Sequence, residues 1–352
     1  MELHDYRKYT ISTLNGYPLK YKKYLKDLFI EKGIAQDDSQ MALGITDAID
    51  ISGLDLPQQL NLCVENNEKC LDIIERWEFE KDYKYSVLFK VKDFDALLKN
   101  IDAKAIAFSD KYAPLFGSIT DPQFWKYDRN ISLLKFNYRF EAVHPKTAEE
   151  LFVRYPIVVA FHLNCKIIEI RFDALKRFFM EKSDNFYYNL VEDICSYIHC
   201  TYDQILCACD LDFLVNKVQH SETGAILVAQ SMKMANGSSA QLEVGKNEEF
   251  ILPFIGELKN FLTDYAIDFE KVPALKEGFE QFIFEKEATS EYPWIELLWE
   301  NEIKTRSLRV KVTFNYCQKG YCLLQHYFNN ALIGMERMNH VVRFIYEVKG
   351  NS

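Results

Sequence analysis

The strongest constraint in this sequence is an alternation. Leu134, Phe136, Tyr138 and Phe140 take turns with Lys135, Asn137, Arg139 and Glu141. A period of two places the two sets on opposite faces of a strand, one face in a core and the other expected in water. After His144-Pro145 and a helical turn over 147–154, the run Ile157-Val158-Val159-Ala160-Phe161 is apolar throughout, then His162-Leu163-Asn164 leads into 165–172. Two β-rich runs joined by a few polar residues predict a hairpin, and the unbroken apolar arm requires cover on both faces. The chain is therefore expected to organise around these strands.

Other segments are read against that centre. Residues 9–14 are expected to form a first strand. Residues 18–30 should form a helix whose Lys20, Lys22, Lys23 and Lys26 face solvent opposite an apolar stripe. A further strand is expected over 42–51, a helix over 65–79, a strand over 84–91 and a short helix over 94–100. The stretch 102–126 carries Pro114, Gly117 and Pro122, and a domain boundary is placed near residue 125. Helices are expected over 184–199 and, from a Thr201/Gln204 capping box, over 201–219, giving a helical hairpin near 186–219. Strands over 225–234 and 240–244 flank an Asn236-Gly237 turn. Helices follow at 253–265 and 273–286, the second burying Leu275, Phe279, Phe282 and Ile283. Strands over 293–300, 308–316 and 321–328 and a closing helix from 332 complete the chain. Strands and helices interleaved in this way predict an α+β protein with mixed or antiparallel sheets and packed helices. Its two lobes are expected over 1–125 and 126–352.

At 352 residues, with 48% hydrophobic residues and only 13 Gly and 9 Pro, the chain has the apolar mass to fold as two domains. Its formal charge of −10 argues against general polyanion binding, which requires clustered Lys and Arg. No apolar run reaches the roughly 18–20 residues that span a bilayer, so no membrane insertion is expected. Nine irregularly spaced cysteines do not form a secreted disulfide framework, and the cytosol is the expected compartment.

Hydrolase and nucleotide-binding signatures are absent: there is no G-x-S-x-G, H-E-x-x-H or G-x-x-x-x-G-K-[ST]. No cofactor is implied. The sequence is read instead as a non-catalytic binding or regulatory protein that acts through protein contacts, with nucleic acid as a second partner class. Its candidate binding residues are Lys135, Asn137 and Arg139 on one polar strand face and Arg309, Lys311 and Asn315 on another. These side chains hydrogen-bond readily to carboxylates, phosphates and base edges.

Two alternatives compete. Glu169 and Arg171 share a strand face, and with His162 they approximate the acidic and basic groups of a metal-dependent nuclease. Cys195, His199, Cys200, Cys207 and Cys209 form the densest set of metal-ligand types, but without paired C-x-x-C knuckles. Buried structural thiols are the simpler account of that set.

Overall fold

The computed structural model describes residues 3–38, 48–108, 121–180, 183, 185–220, 224–244, 254–299, 308–327 and 334–350. Its α-carbons group into two compact units, neither continuous in sequence: Met1–Tyr83 with Phe89–Cys207 and 333–335, and Lys84–Leu88 with Ala208–Leu332 and 336–352. Residue 125 lies within the first. Helices and antiparallel ladders dominate both units, and short strands pair in parallel, β1 with β2 and β4 with β5, which makes the chain α+β with mixed sheets. No helix among the described residues is long and apolar enough to cross a membrane.

The first unit opens with helices α1 (Leu3–Gly16) and α2 (Leu19–Glu31). The expected strand over 9–14 is thus part of a helix. Tyr6, Tyr9, Thr10, Thr13 and Leu14 fall at helical spacing and are all buried. The hydroxyls of Thr10 and Thr13 donate back to the carbonyls of Tyr6 and Tyr9, which satisfies these β-branched residues inside a helix. Short parallel strands β1 (Ala35–Gln36) and β2 (Ile49–Asp50) follow; of the strand expected over 42–51, residues 42–47 lie outside the described set. The helix expected over 65–79 is α4 (Lys69–Glu80), which starts late because Asn67 is extended, and a further helix, α3 (Leu56–Asn66), precedes it. Asp55 and Gln58 form a reciprocal capping box at the start of α3.

Next come β3 (Tyr85–Val91), whose two halves belong to different units, then α5 (Phe94–Lys104), β4 (Ile106–Ala107) and β5 (Gln123–Lys126). The predicted centre appears as β6 (Ile131–Val143), β7 (Glu150–His162) and β8 (Ile167–Phe172). Helix α6 (Phe186–Tyr202) and strand β9 (Leu206–Ala208) end the unit. Pairing runs β8-β7-β6-β5-β4. Helix α6 ends where Asp203 turns left-handed (φ 56°), so Thr201 closes a helix and does not open one.

Antiparallel register brings Lys135, Val158 and Arg171 side by side, and likewise Leu133, Ala160 and Glu169. Paired residues point to the same face, so Lys135, Asn137, Arg154, Glu169, Arg171 and His162 share one side of the sheet. The opposite side carries Phe136 and Phe172, which pack on Tyr197 and Tyr187 of α6 at ring distances of 5.1 and 5.4 Å. Strand β7 pairs with β8 only from Val158 onward, which leaves its first half with a free edge. Helix α1 covers that edge: Thr13 Oγ1 accepts from the Arg154 N–H at 2.9 Å and shares its single proton between the Tyr9 and Arg154 carbonyls, while Ser12 donates to Phe152 O. The strand's polar backbone is thereby satisfied without another strand.

In the second unit, the first half of β3 joins α7 (Phe213–His220), β10 (Ile226–Lys233), β11 (Ser239–Glu243) and helices α8 (Ile255–Asp264), α9 (Ala266–Glu270) and α10 (Pro273–Ala288). Strands β12 (Glu291–Trp299), β13 (Leu308–Tyr316) and β14 (Tyr321–Tyr327) and helix α11 (Glu336–Gly350) follow. The ladder runs β11-β10-β12-β13-β14-β3 and is antiparallel. Ile295, Leu297, Val310, Val312 and Leu324 form its core, and α11 buries Met338, Val341, Val342 and Ile345.

Candidate functional site

The polar face of β6 is not in water. Lys135 and Asn137 are 1% and 2% exposed, because α4 brings Glu75 and Glu78 onto that face. Arg154 Nη1 and Nη2 hold the two carboxylate oxygens of Glu78 at 2.6 Å each. Its Nη1 also donates to Glu75 Oε1 at 2.6 Å and to Asn137 Oδ1 at 3.1 Å. Lys135 donates to the Glu75 carboxylate and, at 2.8 Å, to the Glu75 carbonyl. Tyr6 donates to Glu75, and Tyr17 donates to Glu78 at 3.0 Å. Two carboxylates face two cations, so the layer is internally neutral, the condition under which charges tolerate burial. Burial pushes the Glu75 carboxyl up, but Arg154 and Lys135 outweigh it and hold the group below the ordinary carboxylate range. Nearby, Lys81 is fully buried, pairs with Asp173 and lies 3.6 Å from the ring centre of Tyr83.

Arg139 remains partly exposed and pairs with Glu141 at 3.3 Å. The expected wet strand face is thus corrected for Lys135 and Asn137.

The residues of the nuclease alternative lie on the same buried face. Glu169 and Arg171 are fully buried and His162 is 6% exposed. One oxygen of Glu169 accepts from Arg171 Nε at 2.8 Å, from Arg171 Nη2 at 2.6 Å and faces His162 Nε2 at 3.0 Å. A metal ion binding that oxygen would have to displace those donors inside the core.

On β13, Arg309 Nε donates to Glu296 at 2.6 Å and its Nη2 to Glu243 at 3.1 Å. Two carboxylates engage this one guanidinium, and a phosphate would have to compete with both for it. Lys311 lies 3.7 Å from the ring centre of Trp294. Asn315 sits in the left-handed region (φ 45°), and its side chain accepts from the Gly320 N–H at 2.9 Å, an arrangement that shapes the β13–β14 turn. Among the cysteine set, Cys200 and Cys207 are exposed, Cys195 is half-buried and Cys209 is buried. No group of three or more His, Cys, Asp or Glu side chains placed to hold a metal ion occurs among the described residues, so Cys195, His199, Cys200, Cys207 and Cys209 are not gathered into one.

The surface that stands out lies elsewhere in the second unit. Eight of the fifteen large apolar side chains left exposed among the described residues fall between 254 and 284. Phe254 precedes α8, and its N–H donates to Glu257 at 3.1 Å. The Phe261 and Tyr265 rings pack at 4.7 Å, tilted by 40°, at the α8–α9 corner, where Ile267 is 75% exposed. The sequence places Leu275 and Phe282 on the buried side of α10, but they are 52% and 50% exposed. Ile283 is the buried residue, and Phe279 packs edge-on against Phe269 at 6.0 Å. Phe282-Ile283-Phe284 explains the correction: at about 100° per residue, three consecutive apolar side chains span some 200° of helix surface, more than one neighbour can cover. Helices α8 and α10 are tied by Lys259 and Glu287 at 2.8 Å.

Gly278 lies inside α10, where glycine costs about 0.5–1 kcal/mol relative to alanine. A Cβ there would meet nothing within 4 Å. Gly278→Ala is therefore expected to raise stability by about that amount, read as a higher urea midpoint with unchanged slope. No gain would mean that α10 has a different local conformation.

Comparison of the chain with protein-family models, with curated proteins and with solved structures finds no match. Glu75 and Glu78, which the sequence reading did not single out, had a signal: with Leu71 they occupy positions i, i+4 and i+7 of one helix, so two carboxylates interrupt a stripe that packs inward.

Proposed function

We propose that this chain is a non-catalytic binding protein of the cytosol, regulatory in character, that works through protein contacts made by the α8–α10 surface. The observation that carries this reading is the concentration of exposed aromatic and aliphatic side chains between Phe254 and Phe284. Large exposed apolar groups grouped on one segment mark interaction sites, and aromatic residues dominate the energetics of such contacts. The charged strand residues argue the same way by exclusion. Lys135 and Asn137 are inside, and Arg309 is held by Glu243 and Glu296. A nucleic-acid contact would have to form without them.

The test pairs wild type with a Phe261→Ser/Phe284→Ser variant, both recovered from nuclease-treated extracts of cells that make the protein. These side chains are solvent-exposed, so the variant should retain the wild-type circular dichroism spectrum. The reading expects protein partners that survive nuclease and are lost from the variant. Partners retained by the variant, or lost on nuclease treatment alone, would overturn it. Magnesium-dependent DNA cleavage by the purified wild type that disappears in Glu169→Gln would establish the enzymatic alternative instead.

A further inference from the structure

We infer that the outer face of α10 receives a basic, amphipathic helical segment of a partner protein; this rests on the protein-contact reading above and adds the chemistry of the occupant. An open depression runs along this face, lined by Ala274, Glu277, Gly278, Glu280, Gln281 and Phe284. Ala274, Gly278 and Gln281 follow one another at helical spacing, so the depression tracks the helix axis. Gly278 lies in its lining, where the chain gives up helix stability although a Cβ there would meet nothing within 4 Å. A glycine with room around it serves no internal packing, and it admits another backbone to close approach. A shallow furrow between side chains of one helix matches a second helix, whose side-chain ridges lie in such furrows.

Charge selects the occupant. Between residues 254 and 288 there are eight acidic residues and four lysines, a net charge of −4. All four lysines are engaged locally: Lys259 with Glu287, Lys271 with Asp268, Lys276 with Glu280 at 3.9 Å, and Lys286 over the Phe282 ring at 5.3 Å. Glu277 and Glu280 line the depression itself. A second copy of the chain would bring the same −4 against this face, and an anionic lipid surface would be repelled as well. Lysine or arginine flanking an apolar stripe complements both the carboxylates and the exposed Leu275, Phe282 and Phe284.

The probe is a labelled synthetic helical peptide of about 18 residues, five turns, with leucine on one face and lysine on the rest, beside a counterpart with glutamate in place of lysine. Each is titrated into the full chain and followed by fluorescence anisotropy. The lysine peptide is expected to bind at least about tenfold more tightly than the glutamate peptide, to weaken as salt is raised, and to lose at least about tenfold in affinity with Gly278→Leu. Glu277→Lys/Glu280→Lys keeps the helix and should remove the preference between the peptides. Equal binding of both peptides, abolished by Phe282→Ser/Phe284→Ser, would overturn the basic occupant while leaving the protein-contact reading standing. Binding of neither peptide, by a chain that sediments as a dimer and becomes monomeric with Phe282→Ser/Phe284→Ser, would make a second copy the occupant and overturn the inference. Peptide binding untouched by either pair of substitutions would overturn the site itself.

Discussion

Replacing Arg154 with methionine is expected to destabilise the protein by about 3–5 kcal/mol, the range for removing one partner of a buried ion pair. The substitution keeps an unbranched side chain of comparable reach but leaves Glu75 and Glu78 facing Lys135 alone, a net negative charge without water. Arg154 also holds both oxygens of Glu78 in a bidentate contact. Arg154→Lys restores charge but not the fork, so it should recover only part of the loss. Urea unfolding followed by intrinsic fluorescence reads both variants. A change in Arg154→Met below about 0.5 kcal/mol, the size of a surface substitution, would contradict the buried layer.

The same variant has a signature in pH. The folded pKa of Glu75 is depressed, so its ionisation contributes stability that is fully present above its unfolded pKa, roughly 4.3, and is lost as pH falls through the folded value. In Arg154→Met, burial acts on Glu75 with Lys135 and the Tyr6 hydroxyl, but no guanidinium, opposing it. Its folded pKa should rise, and acid unfolding should begin at a higher pH than in the wild type. Coincident acid limbs would separate Arg154 from Glu75.

Trp77→Ala is the second large effect, expected to cost about 3–5 kcal/mol. Trp77 is 3% exposed and lies edge-on to Tyr17 and Tyr21 at ring distances of 5.4 and 5.3 Å, wedged where α4 meets the first two helices. Its Nε1 makes no hydrogen bond among the described residues, so the cost comes from lost packing and the cavity left behind. Trp77→Phe retains a ring and should be the milder variant. Because Trp77 immediately precedes Glu78, the alanine variant should also loosen the grip of Arg154. Equal losses in the two variants would show that the site collapses readily around either side chain.

The strands at the centre of the first unit were legible because alternation and continuous apolar runs are local. The alternation at 133–141 and the apolar arm at 157–161 became β6 and β7, and the expected hairpin of that arm with 165–172 is β7–β8; the helical turn expected over 147–154 is instead, from Glu150 onward, the start of β7. What alternation cannot report is the medium on each side. Lys135 and Glu75 are 60 positions apart, and only the tertiary fold lays α4 over the polar face. The same limit explains α1: Thr10 and Thr13 favour a strand locally, yet their hydroxyls find carbonyls one helical turn back. In the second unit, strands β10 to β14 were readable from alternation and turn residues. The exposed face of α10 was half readable. Phe282-Ile283-Phe284 cannot all turn inward, but which of them turns outward depends on where Phe269 and the neighbouring helix sit.

The most direct measurement is backbone amide exchange of the full chain with and without the lysine-faced peptide. The account predicts added protection confined to residues 254–288, with the amides of β6 and β13 unchanged. Protection on the strands carrying Lys135, Arg139, Arg309 and Lys311, with α10 unaffected, would contradict it and return the binding surface to the sheet.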